Sequence, residues 1–208
     1  MAPTVLTTCP IIGGILPLPI YTNRLIIRSY RLSDLEAFHT LQSQPEAHEG
    51  YLNLVSTDLN CSEDRIKKEL PPYSSRLYLG IYLKKSDGSE GDLIGSGGMQ
   101  NLHTQNGWPD LGYQLKKEYW NNGYATEFAT AFMQFWSSLP REQTSLQVPY
   151  SSLDLQDRSE IAERVYAKAK LDNKASQRVL EKVGFEPFGL LDGEYGTHVC
   201  MENILKVD

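Results

Sequence analysis

The stretch that most constrains this chain is Tyr119-Trp120-Asn121-Asn122-Gly123-Tyr124-Ala125-Thr126-Glu127. A strand-like run, Leu111-Gly112-Tyr113-Gln114-Leu115, precedes it. Tyr124, Phe128, Phe132 and Trp136 follow at every fourth position, the spacing of one face of a helix. A turn of small and amide residues that opens a helix leaves backbone N–H groups unpaired and aimed at a common point. Such a point binds anions, phosphate above all. Only Lys116 and Lys117 lie just upstream, so the main chain rather than side chains would form the cradle. An Asn-Gly pair at such a corner equally serves an ordinary turn.

With 208 residues the chain reads as one domain, residues 22–208, behind an N-terminal extension at 1–21. A net charge of −6 argues against a nonspecific nucleic-acid binder, which would present a basic face. Cys9, Cys61 and Cys200 are odd in number and far apart. They make neither a disulfide framework nor a metal spacing, which points to a reducing, cytoplasmic setting. His39, His48, His103 and His198 are equally scattered, so no metal is expected. The apolar N-terminal run lacks early Lys or Arg and is broken by Pro3, Pro10, Pro17 and Pro19, which argues against a signal peptide or membrane span.

In order, Arg24 to Tyr30 reads as a strand, and Ser33-x-x-Glu36 as a capping box opening a helix with Leu35, Phe38 and Leu41 on one face. Ser62 is the expected cap of a second helix, stopped by Pro71-Pro72. Three antiparallel strands follow, over 76–84, 92–102 and 109–115, and then the helix from Tyr124. Residues 137–161, rich in Ser, Gln and Asp, read as an irregular insertion or lid. Arg164 to Lys170 is a strand, Asn173 opens a helix that Gly184 ends in a left-handed cap, and a hairpin closes the chain. The strand before Trp120 and the strand at Val165 are joined through a helix, so they should be parallel neighbours.

The run Leu111–Leu115 with Trp120-Asn121-Asn122-Gly123-Tyr124-Ala125 resembles the acetyl-CoA site of GNAT N-acetyltransferases, whose general pattern is Gln/Arg-x-x-Gly-x-Gly/Ala. Asn173-Lys174-Ala175-Ser176 through Val179-Leu180-Glu181-Lys182-Val183-Gly184-Phe185 is similar to the closing signature of the RimJ/RimL-like branch, which acetylates protein N-termini and small amines. Asn23 to Arg28 with Leu32 to Leu35 resembles that branch's start. The resemblance covers about residues 22–206. It implies an α/β (α+β) GNAT fold: a mixed, mostly antiparallel sheet with a splayed central parallel strand pair, flanked by helices.

The resemblance implies acetyl-CoA as co-substrate. Its pantetheine arm would pair with Gln114, Leu115 and Lys116, and its pyrophosphate would lie on the turn of Trp120, Asn121, Asn122, Gly123, Tyr124, Ala125 and Thr126. Asn173 and Ser176 would stand on the far side, near the sulfur. The acceptor would be a small-molecule or peptide amine, the chain a monomer or homodimer, and the acceptor pocket would be built from about 42–54 and 192–196.

An amine of pKa about 10 must lose a proton before it attacks a thioester, and the departing thiolate benefits from a proton or hydrogen-bond donor. Many GNATs use a tyrosine in the second motif as that donor, but Leu180 stands at the matching position here. Ser176 is the remaining candidate, or else a first-turn hydroxyl that satisfies the backbone. Asp110 is the candidate base, or a sheet-edge carboxylate; Glu127 fits a structural role at the helix dipole. Tyr113 and Tyr195 are candidates for the amine pocket. The missing tyrosine also admits a rival reading, a CoA-binding sensor without turnover.

Overall fold

The computed structural model describes residues 3–13, 16–48, 54–73, 75–102, 107–148, 161–193 and 196–205. Its strands are β1 (Thr4–Pro10), β2 (Ile20–Tyr21), β3 (Leu25–Arg28), β4 (Leu77–Lys84), β5 (Glu90–Asn101), β6 (Asp110–Leu115), β7 (Arg141–Gln147), β8 (Arg164–Lys170), β9 (Glu186–Gly193) and β10 (Gly196–Ile204). Its α-helices are α1 (Leu35–Gln42), α2 (Leu59–Lys68), α3 (Tyr124–Ser138) and α4 (Lys174–Lys182).

Eight strands form one sheet in the order β2-β3-β4-β5-β6-β8-β10-β9. All neighbours are antiparallel except β6 and β8, which are parallel and paired only at Asp110↔Tyr166 and Leu111↔Ala167. Beyond those two positions β6 continues to Leu115 and β8 to Lys170 without pairing to each other. This is the splayed pair implied by the resemblance, and it opens a wedge in the middle of the sheet.

Alternation along the strands divides the sheet into two faces. Leu77, Leu79 and Ile81 of β4, with Leu111 and Leu115 of β6, join the core beneath α3. There Phe128, Phe132 and Trp136 stack at 5.7 and 6.4 Å between successive ring centroids, so the four-residue spacing becomes an aromatic column. The opposite face of β4 and β5 carries Tyr82 and Leu93, packed with Phe38 of α1 and Ile66 of α2. The glycine run of β5 permits this close layering. A Cβ on Gly97 would stand 2.5 Å from the Phe128 ring and 2.9 Å from Cβ of Tyr113.

Two expected helix caps differ. The Asp34 carboxylate, not Ser33, accepts the Arg31 amide (2.7 Å), and it also takes two bonds from the Arg28 guanidinium (2.8 and 2.9 Å). Asp58 caps α2 by accepting the Asn60 amide (2.9 Å), while Ser62 is buried inside the helix with its hydroxyl 2.8 Å from Nδ1 of His39. In each case a nearby aspartate, the next residue after Ser33 and one turn before Ser62, offers a stronger acceptor than the serine hydroxyl.

The N-terminal extension and the expected insertion are partly regular. β1 and β7 form an antiparallel ribbon, in register from Thr4↔Gln147 to Pro10↔Arg141. The far edge of β1 bonds the other end of the expected insertion, where the Ile161 amide donates to the Leu6 carbonyl (2.9 Å). Val5 packs with Trp108, Val148, Ile161 and Tyr166 in a small core of its own. Residues 149–160 of that insertion lie outside the described residues.

Arg141 ties the ribbon to the body. Its Nη1 donates to the carbonyls of Trp136, Ser137 and Leu139 at 3.0 Å each, closing the C-terminal end of α3. Its Nε meets Glu163 at 3.1 Å, and Glu163 also accepts from Nε1 of Trp136 (2.9 Å).

Candidate active site

The site forms where the wedge between β6 and β8 meets the N-terminal ends of α3 and α4. The turn leaving β6 is held from within: Nε1 of Trp120 donates to the Leu115 carbonyl (2.9 Å), and Nδ2 of Asn122 to the Trp120 carbonyl (2.9 Å). Asn121 and Gly123 take the left-handed conformation, with φ of 60° and 80°. That conformation is free for glycine and tolerated by asparagine, which is why these residue types occupy the corner. The Glu127 amide reaches back to the Gly123 carbonyl (3.0 Å) and starts the helix. Among the described residues, the backbone amides of Asn121, Asn122, Gly123, Tyr124, Ala125 and Thr126 have no acceptor. Six consecutive free amides at a helix N-terminus form a cradle whose geometry suits an anion.

The cradle is fixed to the sheet edge by Glu127. Its Oε1 accepts from the Thr22 hydroxyl (2.6 Å) and the Arg24 amide (2.9 Å), and its Oε2 from Nε of Arg24 (2.7 Å). Burial alone would raise this carboxyl, but the bonds from Thr22 and Arg24 hold it below the usual range. Glu127 therefore works as a structural clamp.

On β6 the Lys116 amide donates to the Ile94 carbonyl (2.9 Å). By ladder alternation the main chain of Gln114 and Lys116 faces β5, and that of Tyr113 and Leu115 faces the wedge. The Gln114 side chain donates to the Ser96 hydroxyl (3.0 Å) on the α1/α2 side of the sheet. Lys116 is buried, which pulls its ammonium below the usual range against the opposing effect of Glu118 and Asp92. Of the strand residues implied for the pantetheine arm, Leu115 thus presents its backbone to the wedge.

Across the wedge, Asn173 caps α4: its side-chain oxygen accepts the Ser176 amide at 3.0 Å. This cap frees the serine hydroxyl, which bonds no backbone group among the described residues. Leu180 is buried in the core, one turn further along. The Tyr113 ring packs against Phe128 (6.3 Å between centroids), and its hydroxyl faces Ser176. Burial pushes the Tyr113 phenol up to about 12, with the Ser176 hydroxyl drawing it back.

Asp110 sits at the closed end of the wedge, 7% exposed, in one of the two pairs that join β6 to β8. Burial pushes its carboxyl up to about 6, with Lys168 pulling the other way. Among the described residues it has no hydrogen-bond partner, so both oxygens are free to take a proton. Asp110 and Tyr113 flank the paired residue Leu111 and project to opposite faces, Asp110 toward α1 and α2, Tyr113 toward α3 and α4. His198 is buried on β10 opposite Lys170. Tyr195, expected near the amine, lies outside the described residues, as do 49–53 and 194 of the loops expected to bound that pocket.

The loop after α1 reaches the same place. Gln44 accepts the Lys117 amide (2.7 Å) and donates to Glu118 (2.9 Å), and Glu46 pairs with Lys117 at 2.9 Å. These contacts stitch the rim of the α1/α2 side to the turn of the cradle, a juxtaposition that no local pattern signals.

The family model of the acetyltransferase (GNAT) domain matches residues 24–186, from the clamp at Arg24 to the start of β9. The chain belongs to the GNAT acetyltransferase family. N-acetyltransferase p20 of Bacillus licheniformis is 26% identical over 175 residues, covering 83% of this chain and 84% of that protein. N-acetyltransferase YoaA of Bacillus subtilis is 27% identical over 172 residues, covering 82% and 84%. Among solved structures, RimL, a ribosomal L7/L12 α-N-protein acetyltransferase in complex with coenzyme A, superposes with a TM-score of 0.68 at 16% identity, over 92% of this chain and 100% of that one. The microcin C7 self-immunity acetyltransferase MccE, in complex with acetyl-CoA and AMP, gives 0.64 at 15% identity, over 88% and 94%. This GNAT N-acetyltransferase therefore shares its fold with a ribosomal-protein acetyltransferase and with a microcin self-immunity acetyltransferase. Among its described residues no helix is long and apolar enough to cross a membrane, and no cluster of His, Cys, Asp or Glu could hold a metal ion.

Proposed function

We propose that this N-acetyltransferase moves acetyl from acetyl-CoA to a primary amine, either a small molecule or a peptide or protein N-terminus, by direct transfer in a ternary complex. The observation that carries the reading is the row of free amides from Asn121 to Thr126 beside a wedge that opens past Leu111. The amides fit a pyrophosphate, and the backbone of Tyr113 and Leu115 fits the amide-bearing arm of CoA. That structural relatives are described as complexes with CoA and with acetyl-CoA supports the same donor.

The residues divide the chemistry by face. Asp110 takes the proton that the attacking ammonium must lose, on the α1/α2 side. Ser176 donates to the departing sulfur on the α4 side. No covalent enzyme intermediate is needed, and none of the three cysteines lies in the wedge motifs. The sensor reading predicts the same CoA binding without consumption of acetyl-CoA.

Thermal shift with CoA comes first: at about 100 times its Kd a ligand adds about 2.7 kcal/mol. Thiol release from acetyl-CoA is then followed with polyamines, amino acids and peptide N-termini. Turnover with an amine supports the enzyme, a shift without turnover across the panel favours the sensor, and no shift at saturating CoA ends both readings.

A further inference from the structure

One buried polar group at the wedge takes no part in these steps. The Tyr113 hydroxyl is shielded from solvent, and no partner stands in hydrogen-bond geometry with it among the described residues. An orphaned buried hydroxyl is costly, so its placement asks for a reason. It faces the hydroxyl of Ser176, which Asn173 has released from capping duty by taking the Ser176 amide itself at 3.0 Å. The two hydroxyls look at each other from opposite walls of the wedge, one on β6 and one in the first turn of α4.

A serine hydroxyl has one proton to donate and two lone pairs to accept with. If nothing donates to it, its proton is free to turn toward Tyr113 and away from the wedge. If Tyr113 donates to it, the serine proton must point elsewhere, and accepting that bond makes it a better donor. We propose that Tyr113 is a positioning residue for the leaving group: its phenol donates to Oγ of Ser176 and so turns the Ser176 O–H into the wedge, toward the departing CoA sulfur. The inference rests on the acetyl-CoA reading above and deepens it.

The direction of that chain follows from acidity. Burial raises the phenol to about 12, so it keeps its proton throughout the working range and remains a donor. It does not become the source of the proton on sulfur, because a thiol of pKa about 8.5 is the stronger acid. The ammonium gives one proton to Asp110, and the resulting amine nitrogen forms a bond to the thioester carbonyl carbon and releases its second surplus proton to solvent as the amide forms. The C–S bond breaks with its electron pair going to sulfur. The Ser176 hydrogen bond holds the thiolate, which takes a proton from solvent as CoA leaves.

The test reads the thiol itself and needs no acceptor. The thiol pKa of CoA bound to the full-length protein is followed by thiolate ultraviolet absorption, in wild type, Tyr113→Phe, Ser176→Ala and the double variant. The wild type should hold the bound thiol below free CoA. Tyr113→Phe should raise its proton affinity about tenfold, the worth of one good hydrogen bond. The double variant should match Ser176→Ala alone, because Tyr113 acts only through the serine. A Tyr113→Phe titration indistinguishable from wild type, or single effects that add in the double variant, overturns the proposal while the CoA reading stands.

Replacement of Tyr113 by 3,5-difluorotyrosine covers the case in which the phenylalanine variant does not fold. A stronger donor of similar shape should lower the bound thiol further, and no change rejects the relay. Loss of the CoA thermal shift in wild type would remove the acetyl-CoA reading, and this inference with it.

Discussion

Arg24 grips Glu127 from the start of β3: Nε lies 2.7 Å from Oε2, the Arg24 amide 2.9 Å from Oε1, and Nη1 donates to the Asn122 carbonyl at 3.0 Å. One side chain thus fixes both the turn and the first turn of α3. The guanidinium is about half exposed, so the pair contributes little to global stability. Its effect is local preorganisation of the amide row. Glu127→Ala should weaken CoA binding about tenfold while shifting the melting temperature little. Isothermal titration with CoA, alongside thermal melts, checks both halves.

Asp110 sets the second prediction. A base held at about 6 is charged above that value and inactive below it, so kcat/KM should climb through a limb near pH 6 and then level. Asp110→Asn should lower kcat by about a hundredfold or more and abolish that limb. For stability the sign is opposite to that of a salt-bridged carboxylate. Its folded pKa lies above the unfolded value, so its charged form is a burden at neutral pH that eases as pH falls through about 6. Asp110→Asn should therefore be no less stable than wild type at pH 8, measured by urea unfolding.

Glu69 gives a sharper pH test away from the wedge. Its side chain is 7% exposed and stands 3.2 Å from Nε of Arg76, yet the two are misaligned for a hydrogen bond. Burial therefore outweighs Arg76 and lifts the carboxyl to about 7. Glu69→Gln should raise the melting temperature at pH 8, and the gain should shrink as the pH falls through about 7 and be gone below 4.5, where the carboxyl is protonated in both folded and unfolded chains.

Arg28 behaves in the reverse way. It is almost fully buried between Asp34 (2.8 Å) and Glu90 (2.6 Å), its guanidinium 3.9 Å from the centroid of the Tyr82 ring. Burial raises Asp34, but the Arg28 bonds override it and hold the carboxyl below the usual range. Arg28→Met leaves two carboxylates without their cation and should cost about 3–5 kcal/mol in urea unfolding at pH 7. The loss should shrink in acid, as Asp34 and Glu90 protonate.

Gly97 tests the layering. Its missing Cβ is what lets Phe128 and Tyr113 close over β5. Gly97→Ala should destabilise by about 1–3 kcal/mol through overpacking, with Phe128→Leu in the same chain recovering part of the loss, both by chemical denaturation.

The sequence made some of this readable and hid the rest for physical reasons. Strong alternation marked β4, the four-residue aromatic spacing marked α3, and Gly184, with φ of 89°, ended α4 where a left-handed cap was expected. β7 escaped notice because Arg-Glu-Gln-Thr-Ser-Leu-Gln carries no alternation; it is a strand only by virtue of a partner at the other end of the chain. Ser33 and Ser62 looked like caps, but Asp34 competes from the next position and Asp58 from one turn away. At the site, the turn and Asn173 were legible because their work is local. The meeting of Tyr113 with Ser176, and of Gln44 with Lys117, depends on elements folding together across the sheet.

The ribbon of β1 and β7 also orders events in time. Thr4 leaves the ribosome early, but its register partner Gln147 and the Ile161 amide that seals its other edge arrive only after α3 has been made. Contacts of such long sequence separation form late in folding. The opening strand must wait, unpaired, while β2 to β6 and α3 are made, and its docking then packs Val5 beside Trp108 and Tyr166. A nascent chain arrested before β7 thus holds one wall of the wedge, β6 with the amide-lined turn, while the other wall, β8, is still to be made.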